Sequence, residues 1–290
     1  MNSVTKYSAL SLTIIASAFL AACGGVPSSD VATVADSGLS KSDFNKWMAI
    51  AAKSQSQGST APVVVPDAPD FTNCIAGLQK AAGKGKNAPT AAQAKSQCQS
   101  QFDAQKGQVM NLLITSAWIE GQAKSMGISV SDADIKKQFE KTKTQAFGTG
   151  AKGEAAYQKF LAQAGYDKDG QQLLLRTKVD LLSTKIRDAV LKGAPAATEA
   201  QAREEYAKTK QQYGKQTFAQ VRAQIEQQLK AKNEQTTLQN FIKQFQADWK
   251  SRTECAKIYV VELCKNAPKQ AANQVPGQGT TQQAPPTQGG

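Results

Sequence analysis

Five cysteines carry most of the reactive chemistry open to this 290-residue chain, and no histidine is present to assist them. Cys23 stands apart by its setting. It closes the apolar run ALSLTIIASAFLAA and precedes the small, polar stretch 24–30. A thiol at the end of a membrane-seeking segment points to covalent modification of sulfur rather than to packing. The other four, Cys74, Cys98, Cys255 and Cys264, are even in number. In an exported chain the oxidising compartment favours disulfides over metal binding. Four cysteines allow three connectivities. Local pairing, Cys74 with Cys98 and Cys255 with Cys264, closes two modest loops, each stabilising by roughly 3 kcal/mol in the chain-entropy account. The spacings lack the paired CxxC knuckles of an all-cysteine zinc site, so no metal is expected.

The absence of histidine removes whole classes of enzyme. Neither a Ser-His-Asp nor a Cys-His nucleophile can be assembled, and His-based zinc hydrolysis is closed as well. No GxxxxGK[ST] phosphate loop occurs, and AAGKGKNAPT at 81–90 has neither its spacing nor a preceding strand. Asp132, Asp134, Glu204 and Glu205 are carboxylates able in principle to form an acid/base pair. Their positions at helix starts and on polar faces read instead as capping and solvation. The chain is therefore expected to be no enzyme and to need no cofactor.

Met1 to Ala22 reads as an export signal: Lys6 supplies the positive n-region and the apolar run is of h-region length. It is too short for an ordinary spanning helix of roughly 20 apolar residues. Leu20-Ala21-Ala22-Cys23 resembles the lipobox of bacterial lipoproteins. That resemblance implies cleavage between Ala22 and Cys23, a diacylglyceryl thioether on Cys23, and often a further palmitate-type acyl chain on the new N-terminus. Two or more acyl chains, at about 0.8 kcal/mol per buried methylene, hold a protein stably on a membrane. The expected location is the bacterial cell envelope, lipid-anchored on the extracytoplasmic side. A formal charge of +12 suits anionic lipid heads, wall polymers or acidic clients there; nucleic acid is not an expected partner.

The elements that must position any site are mainly helical. Residues 23–30 form a tether, 31–266 a folded region, and 267–290 a Gln/Pro/Gly-rich tail expected to be disordered. Val31–Val34 reads as a short strand, followed by a turn at Asp36-Ser37-Gly38. Ser40 occupies an N-cap position, with Phe44, Trp47 and Met48 on one face. Residues 53–70 read as a loop between helices. GQVMNLLITSAWIEGQAKSMG, apolar on most sides, predicts a central buried helix ended by Gly127. Ser131 caps the next, with Ile135 and Phe139 one turn apart. GEAAYQKFLAQAG predicts a short helix closed by Gly165, and the run from Asp169 a long one. Thr198 and Gln201 form a capping-box pair.

The last helical stretch carries two apolar stripes. Phe218, Val221, Ile225 and Leu229 form the first; Leu238, Phe241, Ile242, Phe245 and Trp249 form the second. Leu229 and Leu238 stand nine residues apart, so at about 100° per residue the stripe turns by roughly 900°, half a turn off register. The helix must bury opposite faces in its two halves or break near Asn233. It runs on into ECAKIYVVELC, a β-prone segment, and Ile258–Leu263 is expected to lie close to Val31–Val34 as a second piece of a small two-segment β element.

In this order, VATVADSGLSKSDFNKWM, LLITSAWIEGQAKSMGISVSDADIKKQF, AAYQKFLAQAGYDKDGQQLLLRTKVDLLSTKIRD and TEAQAREEYAKTKQQY resemble the SurA/PrsA-type exported foldases. The resemblance covers roughly residues 31–265 and implies a SurA N-terminal-like helical chaperone module, related in fold to the peptide-binding part of trigger factor. The parvulin isomerase domain that many members insert after the segment matching YAKTKQQY is missing. Tyr213 is followed within five residues by Phe218, and the histidines of a parvulin pocket are absent. The implied function is chaperone binding, holdase or foldase-like, of unfolded or partly folded exported proteins. Phe147, Tyr157, Tyr206 and Tyr213 are the candidate peptide contacts. The alternative is a structural or assembly lipoprotein that binds a single envelope partner.

Overall fold

The computed structural model describes residues 25–56, 63–83 and 88–268. Cys23, Ala22 and the signal-like segment lie outside these residues, as does the expected tail beyond Pro268. The chain is mainly helical, with eight α-helices and one small three-stranded sheet among the described residues.

Strand β1 (Asp30–Val34) turns at Ala35–Asp36 into β2 (Ser37–Ser40), which runs directly into α1 (Lys41–Gln55). The turn is thus one residue earlier than the Ser37-Gly38 chemistry suggests, because those two residues pair with Val34 and Thr33 in the hairpin. Gly38 is needed for closeness: a Cβ there would sit 2.0 Å from the Asp30 carboxylate. Ser40 caps α1, its hydroxyl accepting from Asp43 N at 3.0 Å.

Helix α2 (Thr72–Ala82) is capped by the Asp67 carboxylate, which accepts from Asn73 N and Cys74 N. Helix α3 (Ala91–Ser125) is the axis of the fold. It begins at a Thr90–Gln93 capping box, well before the apolar run from Gly107. Its first half looks polar, yet Ala94, Cys98, Phe102, Gln105 and Val109 recur every three or four residues and are all buried. That spacing was the available signal for the longer helix. Both local disulfides are formed: Cys74–Cys98 clips α2 to α3, and Cys255–Cys264 closes the C-terminal loop.

Helices α4 (Asp132–Phe147), α5 (Gly150–Ala164), α6 (Gln171–Lys192) and α7 (Glu199–Thr209) follow, and α8 (Phe218–Ser251) returns without a break. The half-turn slip along α8 resolves as burial on opposite faces. Val221 and Ile225 pack with Ala202 of α7. Further along, Phe241 packs against Ala123, Leu182 and Ile186, and Trp249 enters the main core.

That core surrounds α3. Trp118 is the largest fully buried side chain. Its Nε1 donates to Thr253 Oγ1 at 2.7 Å, and Thr253 in turn donates to the Trp249 carbonyl at 2.8 Å. Trp249 lies across Gly121 of α3 and donates to Gln122 Oε1 at 2.9 Å. Phe44, Phe71, Phe102 and Tyr259 form a ring cluster in which three pairs meet edge-to-face at 5.0–6.0 Å and Phe44–Phe102 is tilted at 6.1 Å, each edge-to-face pair adding about 0.5–1.5 kcal/mol beyond area burial.

The C-terminal run does return to the first strand, but not through Ile258–Leu263. Strand β3 is Thr253–Cys255, with Ala32 opposite Cys255 and Val34 opposite Thr253. The expected strand residues instead enter a 3-10 turn at Lys257–Tyr259 and a tight loop. The Cys255–Cys264 bond forces this, since nine residues closed on themselves cannot stay extended. Tyr259 spends its side chain in the core rather than on a sheet face.

Candidate functional site

Two adjoining cavities flank Trp47 of α1. One, of about 400 Å³, lies between β2, α1, α3 and the start of α6. Leu39, Leu113, Ala117 and Leu175 line it together with Asp43, Glu120 and Gln171. The other, of about 470 Å³, is walled by Ile50, Val109, Leu112, Phe160, Tyr166 and Arg176. Trp47 itself is 4% exposed. Tyr166 meets its ring edge-on at 6.5 Å, and the Arg176 guanidinium stands 5.0 Å from its centroid. Trp47 is therefore a wall shared by both cavities and fixed by packing.

The local sequence explains why these elements meet. Residues Trp47, Ile50 and Ala51 follow the apolar face of α1, and Val109, Leu112, Leu113, Ser116 and Ala117 recur along one side of α3. Gly165, at φ +83°, ends α5 and lets Tyr166 turn back towards α1. Lys53 of α1 donates to the Ala162 carbonyl near the end of α5, fixing the two helices together. The Asp167 carboxylate accepts from Gln171 N at 2.8 Å, and Asp167 N donates to Gln172 Oε1, which starts α6 at the cavity rim.

Apolar walls alternate with amides and hydroxyls from Ser40, Gln108, Ser116 and Gln171, which suits a guest with both side chains and peptide groups. Glu120 is held by Lys178, whose Nζ stands 2.8 Å from Oε1. Among the described residues no group of three or more His, Cys, Asp or Glu side chains could hold a metal ion, and no helix is long and apolar enough to cross a membrane.

The four aromatics singled out from sequence fall into two pairs. Phe147 and Tyr157 pack at 5.5 Å. They belong to a row that runs from Phe139 through Tyr157, Phe147 and Phe160 to Tyr166 at the cavity rim. Tyr157 is only 4% exposed, so it is a packing residue and not a free contact. Burial pushes its phenol above the usual tyrosine range, and its hydroxyl has no partner. Gly170 is the reason it fits: any Cβ there would stand 2.2 Å from that oxygen. Tyr206 and Tyr213 stack at 5.9 Å and pack with Phe218 beside the α7–α8 core, which is separate from the core that holds Trp47. The Tyr206 hydroxyl donates to the Gln216 carbonyl, so this pair braces the α7–α8 turn.

The residues that shape the cavities, Trp47, Leu112, Leu175 and Arg176, were not singled out in the sequence. Trp47 was visible as a member of an apolar face; the others come together only through the tertiary packing of α1, α3, α5 and α6. Comparison with protein families, with curated proteins and with solved structures finds no match for this chain.

Proposed function

We propose that the protein is a lipid-anchored extracytoplasmic chaperone that holds extended segments of exported proteins, with no isomerase site. The observation that carries this reading is the pair of cavities on either side of Trp47, apolar in their walls and fringed by amides and hydroxyls. A guest side chain can enter each cavity while its backbone crosses between them. Such binding is weak and tolerant of sequence, because the charged side chains at the rim are of both signs and the walls between them are apolar. The lipobox-like segment, the net charge and the resemblance to SurA/PrsA-type foldases in element order support the same reading.

The test is suppression of aggregation of two unrelated unfolding proteins by purified protein, at low and at high salt. Suppression of both that persists at high salt is expected. Leu112→Lys with Leu175→Lys, both half-buried positions on the cavity walls, should lower it at least five-fold at a temperature where the far-ultraviolet signal of the variant matches wild type. Suppression that vanishes with salt, or that survives the double substitution, rejects the groove. Capture of one folded envelope protein, with no holdase activity, establishes the single-partner assembly role instead.

A further inference from the structure

We propose that the surface around Lys257 and Ile258 is the face that rests on anionic lipid headgroups; this rests on the lipid-anchor reading of Cys23. The argument begins with where the tether enters the fold. Asp30 N donates to the Pro27 carbonyl, and Lys41 N donates to the Ser29 carbonyl, both at 2.9 Å. The chain is thus pinned from Ser29 onward. Cys23 stands six positions before Ser29, so the acylated sulfur stays within roughly 20 Å of that pin.

Strand register then says what lies beside the pin. Because β1 and β3 are antiparallel with Ala32 opposite Cys255, the entry end of β1 is the exit end of β3. Ala256 N donates to the Val31 carbonyl at 2.9 Å, and the next two residues are Lys257 and Ile258. Both are exposed, Ile258 by 37% despite its apolar side chain. Here a cavity of about 410 Å³ opens between the Ala68-Pro69 loop, α3 and the Lys257–Tyr259 turn. Its charged lining is Lys95, Lys106, Lys257 and Asp103, with Asp103 paired to Lys106 at 3.4 Å.

Charge decides which flank of the tether meets the membrane. On the β2 side, the cavity beside Trp47 carries Asp43 paired with Lys46, Glu120 paired with Lys178, and Asp167. That surface offers an anionic bilayer no net attraction, whereas three lysines against one aspartate attract it. Ile258 supplies an apolar side chain at the depth where headgroups give way to acyl chains. The acidic flank is left clear of the lipid.

Acylated full-length protein in vesicles gives the test, by lysine acetylation followed by mass spectrometry. The vesicles are phosphatidylcholine alone, or phosphatidylcholine with phosphatidylglycerol. Acyl mass on Cys23 and flotation with both vesicle types report the anchor independently of the face. The expected result is at least five-fold protection of Lys95, Lys106 and Lys257 in the anionic vesicles only, reduced by 0.5 M salt, with Lys46, Lys208 and Lys230 still reactive. Flotation without that protection, or protection of Lys46 in place of Lys257, overturns the proposed face and leaves the anchor standing. Equal protection by inorganic phosphate in solution also overturns it, since the cavity then binds a small anion. A chain with no acyl group on Cys23 and no flotation removes the anchor and this face with it.

Discussion

Gly107→Ala and Gly121→Ala place the same methyl group in the same helix and should have opposite effects on stability. A Cβ on Gly107 meets nothing within 4 Å. There the substitution only removes backbone freedom from the unfolded chain, and it stabilises by about 0.5–1 kcal/mol. A Cβ on Gly121 would stand 2.0 Å from Trp249 Cη2 and 2.7 and 2.8 Å from two further ring carbons. Carbon pairs rest near 3.5–4.0 Å, so the indole must retreat by roughly 1.5 Å. Trp249 is 4% exposed, hydrogen-bonded to Gln122 and covered by Arg252, whose guanidinium is 3.9 Å from the ring centroid. Overpacking of this kind costs about 1–3 kcal/mol, and a lost hydrogen bond about 1 more. Against the helix gain, Gly121→Ala should destabilise by roughly 1–3 kcal/mol net. Urea unfolding followed by circular dichroism measures both, the midpoints moving in opposite directions at constant slope. A Gly121→Ala midpoint at or above wild type would refute the packing of α8 across α3.

Opening the disulfides should cost according to loop length. Replacing Cys255 and Cys264 by serine removes a closure over nine residues, about 2.5 kcal/mol; Cys74 and Cys98, with a separation of 24, about 3.5 kcal/mol. Thermal melts of the two double variants should rank in that order. Hydrogen bonding to Arg203 and the nearby Arg222 hold the Glu199 carboxyl below its ordinary range. A lowered carboxyl stabilises above the ordinary value near 4.5 and loses that contribution as pH falls through the folded value. Glu199→Gln should therefore melt earlier than wild type at pH 6, with the gap closing below pH 4. Tyr157→Phe removes a buried hydroxyl that has no partner, and should raise stability by about 1 kcal/mol or leave it unchanged. Because burial raises the phenol, its titration leaves stability unchanged below the ordinary value of 10.0 and removes stability as pH rises from there through the folded value. The variant should lose less stability than wild type between pH 9 and 11, and an equal loss would place the alkaline transition elsewhere.

Local chemistry was the legible part of this sequence. Ser40, Ser131 and the Thr198–Gln201 pair cap helices as their spacing predicts, because a cap is a contract between residues three apart. The stripe slip along α8 was legible for the same reason, as helical geometry turns a residue count into an angle. The first half of α3 and all of α2 were missed, since Gln, Ser, Ala and Lys dominate there and the buried residues are sparse. The β tendency of KIYVVEL lost to a covalent bond, which outranks any propensity of a few tenths of a kcal/mol per residue. The groove was illegible. Trp47, Leu112, Tyr166 and Leu175 come from four places in the chain, and only packing makes them neighbours. The aromatic choice failed at Tyr157 because a ring outside the obvious stripes can still be core when a glycine gives it room.

The pairing of β1 with β3 bears on how the protein comes into being. A chain made from its N-terminus presents Val31–Val34 early, and the residues that complete their sheet more than two hundred residues later. Thr253, which accepts from Trp118, and Tyr259, which covers Phe44, belong to the same late segment. Contacts this distant in sequence delay the rate-limiting step until the loop can close. For most of its own biogenesis the protein therefore displays the apolar side of α3 without its lid, in the state of the unfolded chains it is proposed to hold.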